Sequence, residues 1–402
     1  MKSNTIKVCF LADIHNLLDD RVYWKEALSL KKNGYDVHYI LAGNKDEKGI
    51  TEEGINFIKI KRRVYVRNRF LNYLINKIFP GGLYSKMFSQ AAGIKADVYH
   101  IHDLRVNKIG KKLKLLPYQP IVIYDIHEPH PENILDYLNT KGIFTFIKKI
   151  YAEYIRRWEI KCAKNYDFII TTEENLRDRF REKIPYDKVD IIYNYTNLEN
   201  TRENTDYKDK IYDAIYCGGV TKLRGAFKIL EAAKIAAREK NNLKVLFLGS
   251  YFPENLKSEM QEFIKENNLE KNVILHDSVP YTRVSEFYNK SKIGLGIFLP
   301  IKTHRIILQI KIFEYMNYGL PIVGSNFGHI NDYIKNENIG IAVNPEEPKE
   351  IAGAILKILN NPELFRKYSD NGIAAVDKKY RWDFMEKKLI DIYSKNVGFK
   401  RK

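Results

Sequence analysis

Residues 311–328, which read KIFEYMNYGLPIVGSNFG, hold the pattern best suited to binding or processing a ligand. A carboxylate, Glu314, follows a cation, Lys311, by three residues, and this spacing puts both groups on one side of a helix. The apolar residues between and around them belong to the other side, which predicts one buried and one free helix face. The pair is therefore either a contact for a ligand or an ordinary solvated ion pair.

Helix-ending signals and short strands flank this pair. Gly319 offers the left-handed conformation that ends a helix, and Pro321 prevents its continuation. A strand, KIGLGIFL, precedes the helix, and a shorter strand, PIVGS, follows it. In a parallel sheet, the amino end of such a helix lies at the carboxyl edge of the strands, where doubly wound folds bind phosphorylated ligands.

A second segment suited to phosphate begins at Gly218 and reads GGVTKLRGAFKILEAA. Its glycines allow a close backbone approach, and the cations Lys222 and Arg224 come just before the start of a predicted helix. These are the groups that a diphosphate needs. A turn with two solvated cations would have the same composition, so the segment alone does not decide between the two.

Histidines near predicted strand ends form a third candidate site. Parallel strands bring their carboxyl ends to one sheet edge, so these side chains are expected to bind a polyhydroxylated ligand there or to act as structural groups. A metal site at His102, Asp103, His127 and His130 is disfavoured, because the sequence lacks a helical histidine pair and supporting cysteines. No serine elbow, Walker loop or catalytic cysteine motif favours a hydrolase or an NTPase. The candidate residues are His15, His100, His102, His127 and Glu128.

Predicted strands alternate with helices along the chain, and this order indicates two tandem, doubly wound α/β domains with parallel sheets. The first turn reads HNLLDD where a dinucleotide-binding fold would have glycines, so dinucleotide binding is not favoured. A polar, non-periodic stretch after Tyr195 is expected to link the two halves, and the chain from about Pro362 is helical in pattern. The strands are predicted at 6–13, 35–43, 55–61, 97–102, 120–125, 166–172, 189–194, 211–219, 244–250, 272–279, 292–299, 321–325 and 340–345.

The composition is that of a globular protein: 402 residues, 45% of them hydrophobic, with 13 Pro and 22 Gly. Two of the three cysteines, Cys9 and Cys217, lie in predicted buried strands, which indicates core residues in a reducing compartment. The apolar run before Asp13 is too short for a signal peptide, and no segment has the length of a membrane span. We therefore expect a cytosolic protein, or one bound to a membrane at its surface.

The formal net charge of +17 is unevenly distributed. Between Lys59 and Lys95, nine cations occur without a single acid, interleaved with aromatic and aliphatic side chains. Such a segment suits an anionic membrane surface or a lipid-linked substrate. Nucleic acid is the rival polyanion, but zinc-ligand spacing and aromatic RNA-binding signatures are missing from the sequence. A merely soluble basic surface is the remaining alternative.

Several of these motifs resemble the family 4 glycosyltransferases, which are retaining enzymes of the GT-B fold. The likeness covers nearly the whole chain and is strongest in KIFEYMNYGLPIVGS and in the closing segment PELFRKYSDNGIAAVDKKYRWDFMEKKLIDIY. In the first half, HNLLDDRVYWKEALSLKKNGYDV, VYHIHD and YDIHE are similar to the subgroup that builds bacterial surface polysaccharides.

The resemblance implies roles for individual residues. Glu314 would bind the ribose hydroxyls of a nucleotide sugar, Arg224 would hold the diphosphate, and His127 would lie by the donor sugar. His127 and Glu314 are thus the catalytic candidates. The donor-binding candidates are Gly219, Lys222, Arg224, Val279, Pro280, Gln309, Lys311 and Glu314, with Val279 and Pro280 beside the base. The acceptor-side candidates are His15, His102, Asp103 and Glu128.

The same resemblance implies the domain plan and the activity. Two Rossmann-like domains would face a cleft, with an acceptor-binding domain at 1–196, a nucleotide-sugar-binding domain at 197–375 and a terminal helix at 376–402 that returns to the first domain. The implied reaction is retaining transfer of a hexose or related sugar from a nucleotide diphosphate sugar to a glycan or lipid-linked acceptor, in capsule, exopolysaccharide or lipopolysaccharide synthesis. No cofactor, metal or nucleic acid is expected, and the expected location is cytoplasmic, at the inner face of the plasma membrane.

Two positions depart from the family pattern. Ile306 stands where the family has another acid, so the backbone of 306–309 or the side chain of His304 is the expected substitute. Many members also carry an arginine near the position of Gly219, and here Lys222 would supply that second cation. Two alternatives stay open: a nucleotide-sugar 2-epimerase, which shares the fold, and a non-catalytic membrane- or polyanion-binding module on a transferase fold.

Overall fold

The computed structural model describes residues 5–63, 82–102, 104–137, 142–197, 202–203 and 207–400. The chain forms two compact units. The first unit comprises Met1–Asn194 and Met385–Lys402, and the second comprises Tyr195–Phe384. Asp103 and residues 64–81 of the basic segment lie outside the described residues, so the predictions made for them stay predictions.

The first unit is built around an eight-stranded sheet of order β3-β4-β2-β1-β5-β6-β7-β8. All neighbouring strands are parallel except β3 and β4, which are antiparallel. The central strands are buried on both faces because helices cover both sides of the sheet, as in other doubly wound folds. The strands are β1 (Lys7–Ala12), β2 (Asp36–Gly43), β3 (Glu47–Ile50), β4 (Asn56–Lys61), β5 (Val98–His102), β6 (Ile121–Ile126), β7 (Phe168–Thr171) and β8 (Val189–Ile191).

The helix predicted to follow β1 begins as a π-helix at Asp20–Ala27, and Asp19 caps it by accepting hydrogen bonds from the amides of Arg21 and Val22. π-helical turns are uncommon and frequently occur at functional sites. The α-helices that follow in this unit are α1 (Leu28–Lys32), α2 (Leu83–Ile94), α3 (Asn107–Lys114), α4 (His130–Tyr137), α5 (Ile143–Ala163) and α6 (Glu174–Arg181).

The second unit has a six-stranded, all-parallel sheet of order β11-β10-β9-β12-β13-β14. Its strands are β9 (Tyr212–Cys217), β10 (Val245–Leu248), β11 (Val273–His276), β12 (Ser291–Gly296), β13 (Ile322–Ser325) and β14 (Gly340–Val343). Its helices are α7 (Ala226–Glu239), α8 (Leu256–Glu266), α9 (Val284–Asn289), α10 (Lys302–Ile306), α11 (Lys311–Asn317), α12 (Gly328–Glu337), α13 (Pro348–Leu359) and α14 (Pro362–Lys379).

The last helix, α15 (Trp382–Lys400), begins in the second unit and belongs to the first from Met385 on. The division at 384/385 differs from the boundary expected at 375/376, since the second unit extends through α14 to Phe384. The ring of Tyr380 lies 5.2 Å from that of Phe313, between centroids. The return of the terminal helix to the first unit agrees with the fold that the resemblance implies.

Strands are found at every predicted position, and within the described residues β3 is the additional strand that the sequence pattern missed. Cys9 and Cys217 are buried in the sheets, as predicted. Within the part of the chain that the structure describes, every helix is too short or too polar to cross a bilayer.

Candidate active site

In the second unit, β9 and β12 lie side by side although they are far apart in sequence. Chain connections leave this pair in opposite directions along the sheet, and in open α/β sheets ligands bind outside the carboxyl ends of such strands. β9 ends at Cys217 and β12 ends at Gly296. The residues just after these two strands therefore mark the expected ligand crevice of this unit.

Lys311, the first residue of α11, reaches this crevice. Its Nζ lies 3.6 Å from the ring centroid of Tyr216 and 5.2 Å from that of Phe298. The ammonium nitrogen is buried and has no hydrogen-bond partner among the described residues. Burial, and then the charge of Arg224, lower the pKa of Lys311 to about 7. A buried cation without a partner is costly, so this arrangement is suited to an anionic ligand.

Glu314 lies one turn further along α11 and is only 9% exposed. Its Oε2 accepts a 2.6 Å hydrogen bond from the hydroxyl of Tyr288. Burial raises the pKa of Tyr288 well above its ordinary value, which keeps this hydroxyl a donor. Since the ammonium of Lys311 is also buried, the alternative of a solvated ion pair is wrong.

The loop between β9 and α7 carries Arg224 to the same end of the sheet. One guanidinium nitrogen, Nη1, donates a 3.4 Å hydrogen bond to the carbonyl oxygen of Gly219. Helix α7 begins after Gly225, whose φ of 71° is left-handed and whose added Cβ would lie 2.7 Å from Ile297. Glycine therefore lets the amino end of this helix approach β12 closely.

Lys222 is not brought into the crevice. Its side chain is 57% exposed, and its Nζ lies 2.5 Å from Oε2 of Glu259 on α8. This ion pair directs the ammonium toward α8 rather than toward Arg224. The remaining donor candidates differ in exposure. In the segment that follows β11, Val279 is half-buried and Pro280 is exposed. Gln309 is buried, and its side-chain amide nitrogen has no hydrogen-bond partner within the described ranges.

Ile306, which replaces the acid of the family pattern, is the last residue of α10. Its carbonyl oxygen is 3.1 Å from Nε2 of His329, so this part of the backbone is already engaged. His304 is buried and its Nδ1 lies 2.8 Å from the carbonyl oxygen of Leu299. His304 and the carbonyl oxygen of Ile306 thus have protein partners.

In the first unit, the sheet order changes direction between β1 and β5. Three of the predicted histidines meet at the carboxyl ends of β1, β5 and β6. The rings of His15 and His127 are 4.8 Å apart between centroids, and Nδ1 of His102 lies 3.2 Å from Nε2 of His127. Nδ1 of His15 is 2.8 Å from the carboxylate of Asp19, the residue that caps the π-helix. The predicted convergence of these histidines is therefore present.

A buried charged cluster lies beneath these histidines. Oδ2 of Asp125 is 3.3 Å from Nε2 of His127, and the guanidinium of Arg21 donates to both carboxylate oxygens of Asp125 at 3.0 and 3.2 Å. Nε of Arg21 is 2.9 Å from Glu26. Burial would raise the pKa of Asp125, but Arg21 and His127 hold it well below its usual range. Burial raises the pKa of Glu26 well above its ordinary value, although the charge of Arg21 offsets part of this effect.

His100 and His102 complete the cluster from β5. Their rings stack with centroids 4.4 Å apart, and Nδ1 of His100 is 2.7 Å from the hydroxyl of Tyr393 on α15. Burial lowers the pKa of His100 to about 3 and that of His102 well below its ordinary value, so both imidazoles are neutral. Helix α15 thus supports the histidine cluster through Tyr393.

Two family patterns together match most of the chain. The pattern described as Glycosyltransferase Family 4 matches residues 21–200, and the pattern described as Glycosyl transferases group 1 matches residues 198–375. The chain belongs to the family 4 glycosyltransferases. Known relatives of this glycosyltransferase include an uncharacterized glycosyltransferase of Methanocaldococcus jannaschii, which is 24% identical with 91% of each chain covered. The capsular polysaccharide biosynthesis glycosyltransferase CapM of Staphylococcus aureus is 22% identical, again over 91% of each chain.

Solved structures agree on the architecture of this family 4 glycosyltransferase. Anabaena HepE in complex with UDP and glucose superposes with a TM-score of 0.72 at 12% identity, covering 97% of this chain and 100% of that one. A sucrose-phosphate synthase from Thermosynechococcus elongatus superposes with a TM-score of 0.72 at 14% identity, covering 97% of this chain and 98% of that one. The fold of the glycosyltransferase is GT-B, with two Rossmann-like α/β domains.

Sequence reasoning about this glycosyltransferase missed the groups that support its site. Arg21 and Glu26 are charged residues of a helix, and charge alone predicts a solvated face rather than full burial. Asp125 lies in the motif YDIHE, two residues before His127, and this position could have identified it as a site residue. Conversely, Glu128 is exposed and accepts a hydrogen bond from Asn133, so it does not join the histidines.

The buried cluster has the composition of a possible metal site. Glu26, His100, His102 and Asp125 offer ligand atoms within 4.8 Å of one another. The guanidinium of Arg21, however, already lies within 3.0 Å of oxygen atoms on both carboxylates. A divalent cation at this position would be repelled by Arg21, so the donor set fits a self-compensated ionic cluster better than a metal centre.

Proposed function

We propose that this protein is a retaining glycosyltransferase that moves a hexose or related sugar from a nucleotide diphosphate sugar to a glycan or lipid-linked acceptor. The observation that carries the proposal is the buried ammonium of Lys311, which faces the switch-point crevice of the second unit without a protein partner among the described residues. Arg224 and the start of α7 lie at the same strand ends. Two cations and a helix amino end are the groups that bind a diphosphate.

The donor roles follow from these positions and from the family likeness. Glu314, held by Tyr288, binds the ribose hydroxyls, and Lys311 and Arg224 bind the diphosphate beside the backbone of Gly219. The segment Val279–Pro280 borders the base, and the buried amide of Gln309 serves the sugar or phosphate. Lys222 joins these groups when its ion pair with Glu259 opens.

The chemistry proposed is stabilisation of the leaving diphosphate by cations and helix amides, without a metal or other cofactor. His127 contacts the donor sugar, and Asp125 fixes the orientation of its ring through Nε2. His15 and His102 stand on the acceptor side, as does Asp103 by its position in the sequence. No protein nucleophile is assigned. Unchanged transfer after EDTA treatment is expected, and loss of transfer that Mg²⁺ or Mn²⁺ restores would contradict the metal-free mechanism.

The acceptor and the cellular location form a separate part of the proposal. The likeness to CapM, whose name refers to capsular polysaccharide biosynthesis, supports a role in bacterial surface polysaccharide assembly. The basic segment Lys59–Lys95 supports contact with an anionic membrane surface, on the cytoplasmic side where nucleotide sugars are made. Nucleic acid is not proposed as a partner.

The test begins with thermal shift against UDP, GDP and dTDP sugars, because a ligand that binds the folded state raises its apparent stability. Transfer is then assayed with the donor that binds. Glu314→Ala and Arg224→Ala are expected to abolish transfer while circular dichroism stays unchanged, and Arg238→Ala, at an exposed residue in the last turn of α7, serves as the control. Full activity in either site variant would contradict the proposed donor site. Isomerisation of the donor sugar without an acceptor would indicate an epimerase.

A further inference from the structure

Helix α5 exposes an unusual set of large apolar side chains. Sixteen exposed large hydrophobic residues occur in the described parts of the chain, and six of them lie between residues 144 and 154 of this one helix. Contiguous exposed apolar patches on a soluble protein mark interaction sites rather than ordinary surface. We call these six residues the α5 outer face: Phe144 (64% exposed), Phe146 (61%), Ile147 (51%), Ile150 (55%), Tyr151 (40%) and Tyr154 (60%).

The α5 outer face is separate from the face that α5 uses for folding. At 100° per residue, its six members occupy one arc of about 160° on the helix surface. The residues that α5 buries occupy the adjoining arc of the helix surface, where Ala152 and Ile155 pack against Ile134 of α4. Among the described residues, packing of the first unit therefore leaves this second apolar face exposed, and a partner is the physical reason to keep it apolar.

The surroundings of the α5 outer face are basic. Helix α3 reads NKIGKKLK and contains no acid, and its Lys108, Lys111 and Lys112 are exposed. A groove of about 560 Å³ separates α3 from α5. It is lined by cations and aromatic rings together, including Lys108, Lys111, Lys161, Tyr151, Tyr154 and Trp158.

The charge distribution selects among possible occupants. A second copy of this chain would bring the same lysines against one another, and like charges at an interface are unfavourable. An anionic bilayer complements both features, since Tyr, Trp and Phe concentrate at the membrane interface and Lys or Arg attract acidic headgroups. A helix with an apolar aromatic face and flanking cations lies in the plane of that interface.

We propose that the α5 outer face and the basic groove beside it dock on an anionic lipid bilayer, with α5 parallel to the surface. Phe144, Phe146 and Ile150 enter the acyl boundary, and Lys111 and Lys161 contact lipid phosphates. This surface is different from the segment Lys59–Lys95, and the proposal does not depend on the sugar-transfer chemistry.

The experiment is co-sedimentation of the full chain with vesicles, without donor or acceptor. Vesicles of phosphatidylcholine are compared with vesicles that contain roughly one-third phosphatidylglycerol, at physiological salt. We expect binding to the anionic vesicles and a loss of at least about tenfold in apparent affinity for Phe146→Ser with Ile150→Ser, because the buried apolar area drives insertion. The matched control is Tyr186→Ser with Ile211→Ser, two residues that are 72% and 56% exposed outside this face; its binding should be unchanged.

A second variant separates the charge contribution from the apolar one. Lys111→Glu with Lys161→Glu should weaken binding to anionic vesicles and leave residual binding to neutral ones unaffected. Wild-type affinity of the Phe146→Ser/Ile150→Ser variant would overturn the proposal. So would a wild-type dimer in light scattering that this variant abolishes, because the occupant would then be a second copy. Failure of vesicle binding leaves the donor-binding tests above untouched.

Discussion

Tyr288 and Glu314 form a hydrogen bond of 2.6 Å in the interior of the second unit, with the tyrosine hydroxyl as donor and Oε2 as acceptor. The two residues come from α9 and α11, which are separated by β12 and α10 in the sequence. A buried carboxylate needs partners to remain ionised and fixed in orientation. Tyr288 is therefore a positioning residue for the group that we propose to bind the ribose.

Replacing Tyr288 by Phe tests this relationship. The change removes one hydrogen bond to a charged group, which is typically worth about 1.5–3 kcal/mol, so we expect donor affinity to fall by about tenfold or more. Isothermal titration with the nucleotide identified by thermal shift gives the dissociation constant. Tyr207→Phe, which removes a hydroxyl bonded to the carbonyl oxygen of Leu359, is the matched control. Equal affinities in the two variants would show that the bond does not support donor binding.

The pH dependence of donor binding is expected to report on Lys311. Its pKa is about 7 in the free protein, so the amine is increasingly neutral above that pH. A bound diphosphate favours the ammonium form, and binding then takes up a proton. Affinity should therefore decline between pH 7.5 and 9, by at most about tenfold per pH unit for a single proton. Lys311→Met should bind more weakly and without this slope; a slope retained in Lys311→Met would assign it to another group.

The same lysine predicts a trend in stability. In the unfolded chain Lys311 keeps its ordinary pKa of 10.5, so between pH 7 and 10.5 the unfolded state binds more protons than the folded state. The cost of the buried ammonium is then fully present below pH 7 and is relieved as the pH rises. Relative to Lys311→Met, the free energy of unfolding of the native protein should increase from pH 7 to pH 9, measured by urea denaturation. A constant difference would contradict the lowered pKa.

The ion pair between Lys222 and Glu259 allows a test of whether Lys222 serves the donor. If Lys222 reaches the diphosphate only after leaving Glu259, Glu259→Gln should strengthen donor binding by up to about fivefold, since exposed pairs are worth about 1 kcal/mol or less. The double variant Glu259→Gln with Lys222→Ala should lose that gain. Unchanged affinity in Glu259→Gln would place Lys222 outside the donor site.

Removal of Arg21 should destabilise the first unit strongly. Arg21→Met leaves Asp125 and Glu26 buried without their cation, and breaking such a buried pair costs about 3–5 kcal/mol. Chemical denaturation followed by circular dichroism measures the loss. Arg157→Met, at a side chain that is 80% exposed, should change stability by less than about 1 kcal/mol.

The destabilisation by Arg21→Met should also depend on pH. Without the guanidinium, the pKa of Asp125 in the folded state rises above its unfolded value, so the folded variant binds the additional proton as the pH falls. The difference from the native protein should therefore shrink between pH 7 and pH 5. A difference that is constant over this range would mean that Asp125 does not depend on Arg21 for its charge.

Much of the fold could be predicted because burial leaves a periodic trace in the sequence. The central strands read as apolar runs, since both of their faces are covered, and Gly319 and Pro321 mark the end of α11. The sequence of β3 shows no such apolar pattern. It reads EKGI and is mostly exposed, and its strand conformation depends on pairing with β4.

The candidate site was predictable to a lesser degree. The sequence indicated which residues follow strand ends, and hence the meeting of His15, His102 and His127. It also placed Lys222 and Arg224 in one loop, but the direction of each side chain depends on its partners. Lys222 forms an ion pair with Glu259 on α8, whereas Arg224 donates a hydrogen bond to the carbonyl oxygen of Gly219 in its own loop.

By itself, therefore, the sequence determined the order of strands and helices, the two-unit plan and the loops that carry candidate ligand groups. Those features follow from local periodicity, turn chemistry and motif spacing. Only the tertiary structure decided which charged groups are buried: Arg21 with Asp125, Lys311 over Tyr216, and Glu314 with Tyr288. The physical reason is that burial of a charge depends on compensation by residues distant in sequence, and local patterns do not encode that pairing.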